Sequence, residues 1–248
     1  MRHFLSIIIL LIFSFTTVRS KNDQQFEPVT VIELYTSQGC SSCPPADRLL
    51  SNTIENAKID GKKIFALSFH VDYWNRLGWA DPFSDKIYSE RQRFYSTVLK
   101  ENSVYTPQMI VNGDKVFVGS DKKELASAIS ESIKIKSKVS FQSLSMTLVD
   151  GKMININYVL AGDFSECKIN FALVSKSETT QIKRGENEGL TLVNENVVRQ
   201  FISKNASMEG KIVFSNIPPN QNNNLMVIAF VQQNSNSKII GAAMSEVK

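Results

Sequence analysis

Hydrophobic and polar positions along the chain change their rhythm near residue 139. From Val29 to about Lys136, strand-like and helix-like stretches alternate. Val29 to Tyr35 is a β-branched run that reads as a strand. Pro45 to Ile54, with Leu49, Leu50 and Ile54 on one side, reads as a helix. Lys63 to His70 is a second strand. Asp85 to Lys100 carries apolar residues at 87, 88, 94, 95, 98 and 99, a helical stripe with Ser84 as its expected N-cap. Gln108–Asn112 and Val116–Val118 flank Gly113-Asp114 as a hairpin, and Lys122 to Lys136 is a closing helix.

Beyond Val139 the pattern becomes strands separated by turns. Ile154, Ile156, Tyr158 and Leu160 alternate with Asn155, Asn157 and Val159 after the turn pair Asp150-Gly151. Further strands are expected at 141–149, 168–174, 211–217, 225–231 and 239–244, with one helical patch at 196–203. This spacing predicts a small β-sandwich, separated from the first part at Lys134 to Lys138.

The N-terminus stands apart from both. Arg2 and His3 precede a twelve-residue apolar run from Phe4 to Phe15, short for a bilayer span, and Val18 and Ser20 suit a cut after Ser20. Residues 1–20 are therefore expected to be a signal peptide, which places the mature protein in the periplasm or outside the cell, with no membrane association after cleavage. An uncleaved anchor is the alternative. Removing Arg2 and Arg19 leaves 26 Lys+Arg against 24 Asp+Glu, a scattered +2 that argues against a nucleic-acid partner. One histidine, His70, then remains, which excludes a site needing two imidazoles. Three cysteines in 248 residues are too few for a disulfide-stapled scaffold or an iron–sulfur ferredoxin.

The chemistry is expected at Gly39-Cys40-Ser41-Ser42-Cys43-Pro44-Pro45, between the first strand and the first helix. A helix start stabilises a thiolate on Cys40, which would face solvent and attack, while Cys43, one turn in, would be buried and resolve the mixed disulfide. A passive disulfide or half of a metal site is the bland reading. In an exported protein a cysteine pair is normally a disulfide or a disulfide handler. Thr106-Pro107 opens the hairpin strand, a place where a cis X-Pro bond is found, and that strand would run antiparallel to the first, bringing Pro107 to the Cys40 end.

These features together resemble the thioredoxin superfamily, which implies that the Thr106 backbone binds an extended substrate segment beside the disulfide. The dipeptide Ser41-Ser42 matches neither the reductive nor the strongly oxidising members, so the direction of electron flow is open. Over a wider stretch, Glu33–Asp47, His70-Val-Asp-Tyr-Trp74 with Leu77-Gly-Trp79 and Asp81-Pro82, Arg91-Gln92, Tyr105–Gln108, Arg184-Gly-Glu-Asn187 and Asn196-Val-Val-Arg199 are similar to the secreted bacterial family called domain of unknown function 1223. That resemblance implies export and supplies no substrate. The expected fold is thus an α/β thioredoxin-like domain over 29–137, a central mixed sheet flanked by helices with an inserted loop and helix at 71–100. A smaller all-β, sandwich-like domain follows over 139–248.

Several other residues are candidates. His70 or Asp72 would relay a proton to Cys43, and Trp74 and Trp79 would wall a substrate groove, or the two tryptophans simply anchor the loop. Arg184, Glu186 and Asn187, in a glycine-bracketed loop, would pin the second part against the first or complete the groove, or form an ordinary turn. Cys167, at a strand start, reads as a buried inert thiol. The leading function is an exported thiol–disulfide oxidoreductase without a cofactor, acting on a protein or peptide disulfide and recharged by a thiol redox partner. The alternatives are a Cu(I)-binding or metal-delivery protein using Cys40 and Cys43, with Met109 or His70 as a third ligand, and an interaction module on the same scaffold.

Overall fold

The computed structural model describes residues 25–217 and 224–247, so the expected signal segment at 1–20 lies outside the described residues. Thr30–Thr36 (β1) is buried at every position, as expected for a central strand covered on both faces. It pairs in parallel with Ile64–His70 (β2), in a register that places Thr36 opposite His70, and antiparallel with Gln108–Val111 (β3). Lys115–Val118 (β4) completes the hairpin through Asn112 and Gly113, both at positive φ.

Pro44–Ile59 (α1) starts directly after Cys43, with prolines in the first turn where N–H groups have no intrahelical acceptor. Lys122–Ser132 (α3) is capped by Asp121, whose carboxylate accepts from the Lys123 and Glu124 amides. Both helices pack through Leu50 and Leu125 on Ile32, Leu34, Ala66 and Met109. Lys86–Val98 (α2) lays Tyr88 and Tyr95 on the set containing Tyr35, Leu67 and Phe69; its N-cap is Asp85, accepting from Ile87 N, rather than Ser84.

The remaining strands are Val139–Val149 (β5), Met153–Gly162 (β6), Cys167–Gln181 (β7), Thr191–Asn205 (β8), Glu209–Phe214 (β9), Leu225–Gln233 (β10) and Ile239–Glu246 (β11). Here the expected architecture is overturned. In place of a helix-flanked thioredoxin-like domain followed by a sandwich, the chain forms a mostly β fold with three α-helices among the described residues. One mixed sheet of eight strands, ordered β11-β10-β7-β8-β2-β1-β3-β4, runs through both expected parts, and a three-stranded sheet, β5-β6-β9, packs beside it. The join is a parallel bridge between Ser68 of β2 and Val197 of β8, beside which Asn196 Nδ2 donates to Ala66 O at 2.9 Å. It gives the outer edge of β2 a partner. One core then spans the join: Phe69, Tyr88 and Tyr95 pack with Val174, Val198, Ile228 and Phe230.

The expected helical patch at 196–203 is also a strand, part of β8. Its register with β7 shifts so that Gln200 opposes Leu173 while Val198 opposes Val174, leaving Arg199 as an extra residue. That bulge breaks the two-residue alternation, and the apolar spacing of Val197, Val198, Phe201 and Ile202 then mimics a helical period. Among the described residues no helix is long and apolar enough to cross a membrane.

Candidate active site

β1 and β2 end on one edge of the sheet, and the chain leaving β1 turns at once into α1. Cys40 N bonds to Ser37 O at 3.1 Å and Cys43 N to Cys40 O at 3.2 Å, a tight turn that brings the two thiols together as a disulfide. The Thr106–Pro107 bond is cis, and β3 delivers it to the same edge, with Gln108 opposite Tyr35. Thr106 Oγ1 donates to Cys40 Sγ at 3.4 Å and itself accepts from Trp74 Nε1 at 2.7 Å. Ser42 Oγ is the donor of a second 3.4 Å contact to Cys40 Sγ, since a disulfide sulfur has no proton to give.

Contrary to the expectation of a solvent-facing Cys40, both Cys40 and Cys43 are 0% exposed, although Ser41 and Ser42 between them are exposed. The 70–82 loop adjoins the disulfide: a Cβ added to Gly39 would lie 3.5 Å from Trp74 Cβ and 3.7 Å from Trp79 O. From the distant β7–β8 hairpin, Asn187 Nδ2 donates to both Gln38 O and Cys40 O at 2.9 Å, and Glu186 Oε2 accepts from Ser41 N at 3.0 Å. Arg184, by contrast, is exposed and has no hydrogen bond or ion pair among the described residues. A cleft of about 550 Å³ lies elsewhere, between α1 and the Met226–Met244 strands, and includes no residue of the disulfide turn.

Behind the turn lies a buried acid–base cluster. His70 Nδ1 is 2.7 Å from Asp81 Oδ2, which also accepts from Gln38 N at 2.8 Å. Burial opposes charging His70, but the Asp81 carboxylate, then Asp47, outweigh it and raise the imidazole above its ordinary 6.5. Asp81 is held low by the same pairing and by the Gln38 and Phe83 amides, which together outweigh its burial. Asp47, one helical turn past Cys43, is pushed up to about 6 by burial, with Asp81 adding to the rise and the His70 and Arg48 charges opposing it. Asp47 Oδ1, Thr36 Oγ1 and His70 Nε2 are buried without a hydrogen-bond partner.

The structure therefore brings Cys40, Cys43, Thr106, Pro107, Trp74, Trp79, Glu186 and Asn187 to one edge of the sheet, with His70 beneath. Asp72 is not at His70; its carboxylate accepts from Ser89 Oγ at 2.5 Å near the start of α2. Met109 is fully buried between Leu34 and the α1–α3 layer, and Cys167 is a buried free thiol away from the disulfide turn. Among the described residues no group of three or more His, Cys, Asp or Glu is arranged to hold a metal ion.

Four residues escaped the sequence reading: Gln38, Asp47, Asp81 and Asn194. Gln38 is 1% exposed and joins the Asp81 carboxylate, the Trp79 indole at 3.2 Å and the Asn194 carboxamide at 3.1 Å. Gln38, Asp47 and Asp81 stand inside the motif strings quoted for the resemblance, which was the available signal. Nothing marked Asn194.

The model of the family described as protein of unknown function (DUF1223) matches residues 31–232. Among solved structures, a crystal structure of an Agrobacterium tumefaciens protein is similar at 27% identity with a TM-score of 0.64, covering 88% of this chain and 94% of that one. A domain of an outer membrane lipoprotein from Porphyromonas gingivalis matches at 8% identity with a TM-score of 0.29, over 45% of this chain and 89% of that one. No curated protein matches the chain.

Proposed function

The chain belongs to the DUF1223 family, and from that premise we propose that it is an exported thiol–disulfide exchange protein acting on protein or peptide disulfides. The observation that carries the reading is a disulfide closed at the start of α1 against a cis-proline turn whose Thr106 hydroxyl donates to Cys40 Sγ. A donor aimed at that sulfur, added to the helix N-terminus, favours the thiolate once the pair is reduced.

In the reducing direction the Cys40 thiolate attacks a substrate disulfide, and one substrate sulfur leaves as a thiolate. Cys43 then gives up its proton, attacks Cys40 Sγ and releases the second substrate thiolate. The pair ends oxidised by two electrons and the substrate reduced by two. A thiol redox partner restores the dithiol by the reverse exchange. In this reading His70, paired with Asp81 at 2.7 Å, and Asp47, one helical turn past Cys43, take up the proton that Cys43 gives up. Thr106 and Pro107 offer the backbone edge, and Trp74 and Trp79 the apolar contact, for an extended chain.

Reduction of insulin disulfides by the full chain, with a thiol donor present, tests this. Cys40→Ser should abolish turnover, and Cys43→Ser should accumulate a mixed disulfide on Cys40. If Cys40–Cys43 equilibrates with no thiol buffer in the folded protein, the disulfide is structural and the reading fails.

A further inference from the structure

An exchange protein whose two cysteines are fully buried must be opened by its substrate, and the contacts made to the main chain of the disulfide turn have an unusual chemistry. Asn187 is 3% exposed although Glu186 and Glu188 on either side are exposed, so this one side chain is turned inward from the hairpin tip. Its amide takes one lone pair each on Gln38 O and Cys40 O, both at 2.9 Å. Those are main-chain acceptors on the turn that holds the disulfide, and the group occupying them is a planar N–H donor like a peptide bond. Next to it Glu186 takes the Ser41 N–H, as a peptide carbonyl would. The loop thus meets the turn with one donor and one acceptor, the pairing an added extended strand supplies.

The loop is also built to lift. It is held at its base by Ile182 N to Leu190 O and Gly189 N to Ile182 O, bonds internal to the hairpin that need not break when the tip swings. Gly185 and Gly189 both sit at φ +83°, a conformation side chains rarely adopt. A Cβ on Gly189 would meet nothing within 4 Å, whereas one on Gly185 would lie 3.2 Å from Trp79 Cβ and 3.4 Å from Trp79 N, so the tip rests on the Trp79 backbone and Cβ. Three hydrogen bonds through Asn187 and Glu186 and the Gly185–Trp79 contact hold the tip to the turn, and local opening of one such segment is cheap relative to global unfolding.

We infer that Asn187 and Glu186 form a latch that stands in for substrate, occupying main-chain positions around Cys40 at which an extended polypeptide docks. The inference rests on the exchange reading and deepens it. A polypeptide displaces the latch because it replaces the lost hydrogen bonds; a small thiol replaces none and meets a closed site. The site therefore selects polypeptide over small-molecule disulfides without needing a cationic pocket.

Stopped-flow reduction of the Cys40–Cys43 disulfide by dithiothreitol in the full chain tests this. Asn187→Ala should accelerate reduction by about tenfold, the equivalent of one to two ordinary hydrogen bonds. Asn187→Asp, which keeps the shape but sets a carboxylate against two carbonyl oxygens, should accelerate it further. Glu188→Ala, on the exposed side of the loop, should change it by less than about twofold. In wild type, an alkylated, disulfide-free insulin B chain should lower hydrogen-exchange protection over 183–190, a measurement that requires no variant. Unchanged dithiothreitol rates in both folded Asn187 variants, or unchanged protection with the peptide, would overturn the latch. If the wild-type disulfide exchanges with nothing at all, it is the exchange reading that fails instead.

Discussion

Two buried polar clusters lie within the same sheet, and they are finished differently. Around Glu33 every group is paired. Arg91 Nε and Nη2 meet the two Glu33 oxygens at 2.6 and 2.9 Å, Tyr95 and Tyr35 hydroxyls donate to the same carboxylate, and Gln232 Nε2 reaches the Tyr95 oxygen at 2.8 Å. The guanidinium lies 4.8 Å from the Phe201 ring centroid and 5.3 Å from that of Phe230. Around Asp47, another buried carboxyl, the unpartnered Oδ1, Thr36 Oγ1 and His70 Nε2 leave hydrogen-bonding capacity unused. The first cluster ties α2 to strands from both halves of the sheet. The second lies beside the disulfide turn, with Asp81 bonded to Gln38 N and three polar atoms unpartnered. Satisfied polar groups buy structure, whereas unsatisfied ones are a stability cost.

Arg91→Ala should have the largest effect. It strands the Glu33 carboxylate in the core and empties the space between Phe69, Phe201 and Phe230, so a loss of about 3–5 kcal/mol in denaturant unfolding is expected. A loss under about 1 kcal/mol would mean that the network is not a structural pin.

Asp47→Asn should act in the opposite direction. The Asp47 pKa is raised from 3.8 to about 6, so the folded state binds its proton more tightly than the unfolded state does. Its contribution is therefore fully favourable below about pH 4, is lost as pH rises toward 6, and leaves an ionised group costing of order 2–3 kcal/mol at neutral pH. The substitution should raise the unfolding midpoint at pH 7 and make no difference at pH 4, while slowing disulfide exchange. Destabilisation at pH 7 would erase the contrast between the two clusters.

Thr106→Val should have the smallest effect. It removes the donor to Cys40 Sγ and leaves the Trp74 indole without its acceptor. In the reduced protein the alkylation midpoint of Cys40 should rise by about half a unit, the worth of one modest hydrogen bond to the thiolate. No change would show that the helix start alone sets that thiol.

Much of the stretch from 29 to 137 is legible because its signals are local. The Cys-Ser-Ser-Cys-Pro-Pro string announces a turn into a helix, and Gly113-Asp114 and Asp150-Gly151 announce hairpins, the first of which turns at positive φ one residue earlier, through Asn112 and Gly113. The site is legible to the extent that Cys40, Thr106, Pro107, Trp74 and Trp79 converge, since parallel β1 and β2 must end together. Asp72, the alternative to His70 as a proton relay, is turned away to Ser89, and the carboxylate that pairs with His70 comes from further along the loop. Asp81 holds the place because the Asn75–Leu77 turn folds the loop back, with Asp81 N bonded to Asn75 Oδ1 at 3.0 Å.

By itself, then, the sequence determined the cysteine pair, the proline turn facing it and most of the strands, because side-chain period and turn chemistry act over a few residues. The tertiary structure alone decided that β8 joins β2, that the core is shared across the join, and that the disulfide is covered. Each of those depends on contacts between groups more than a hundred residues apart: Ser68 with Val197, Ala66 with Asn196, Cys40 with Asn187. No local period encodes such a pair. It forms because an open strand edge and unpaired carbonyls in a buried turn are costly until something distant satisfies them.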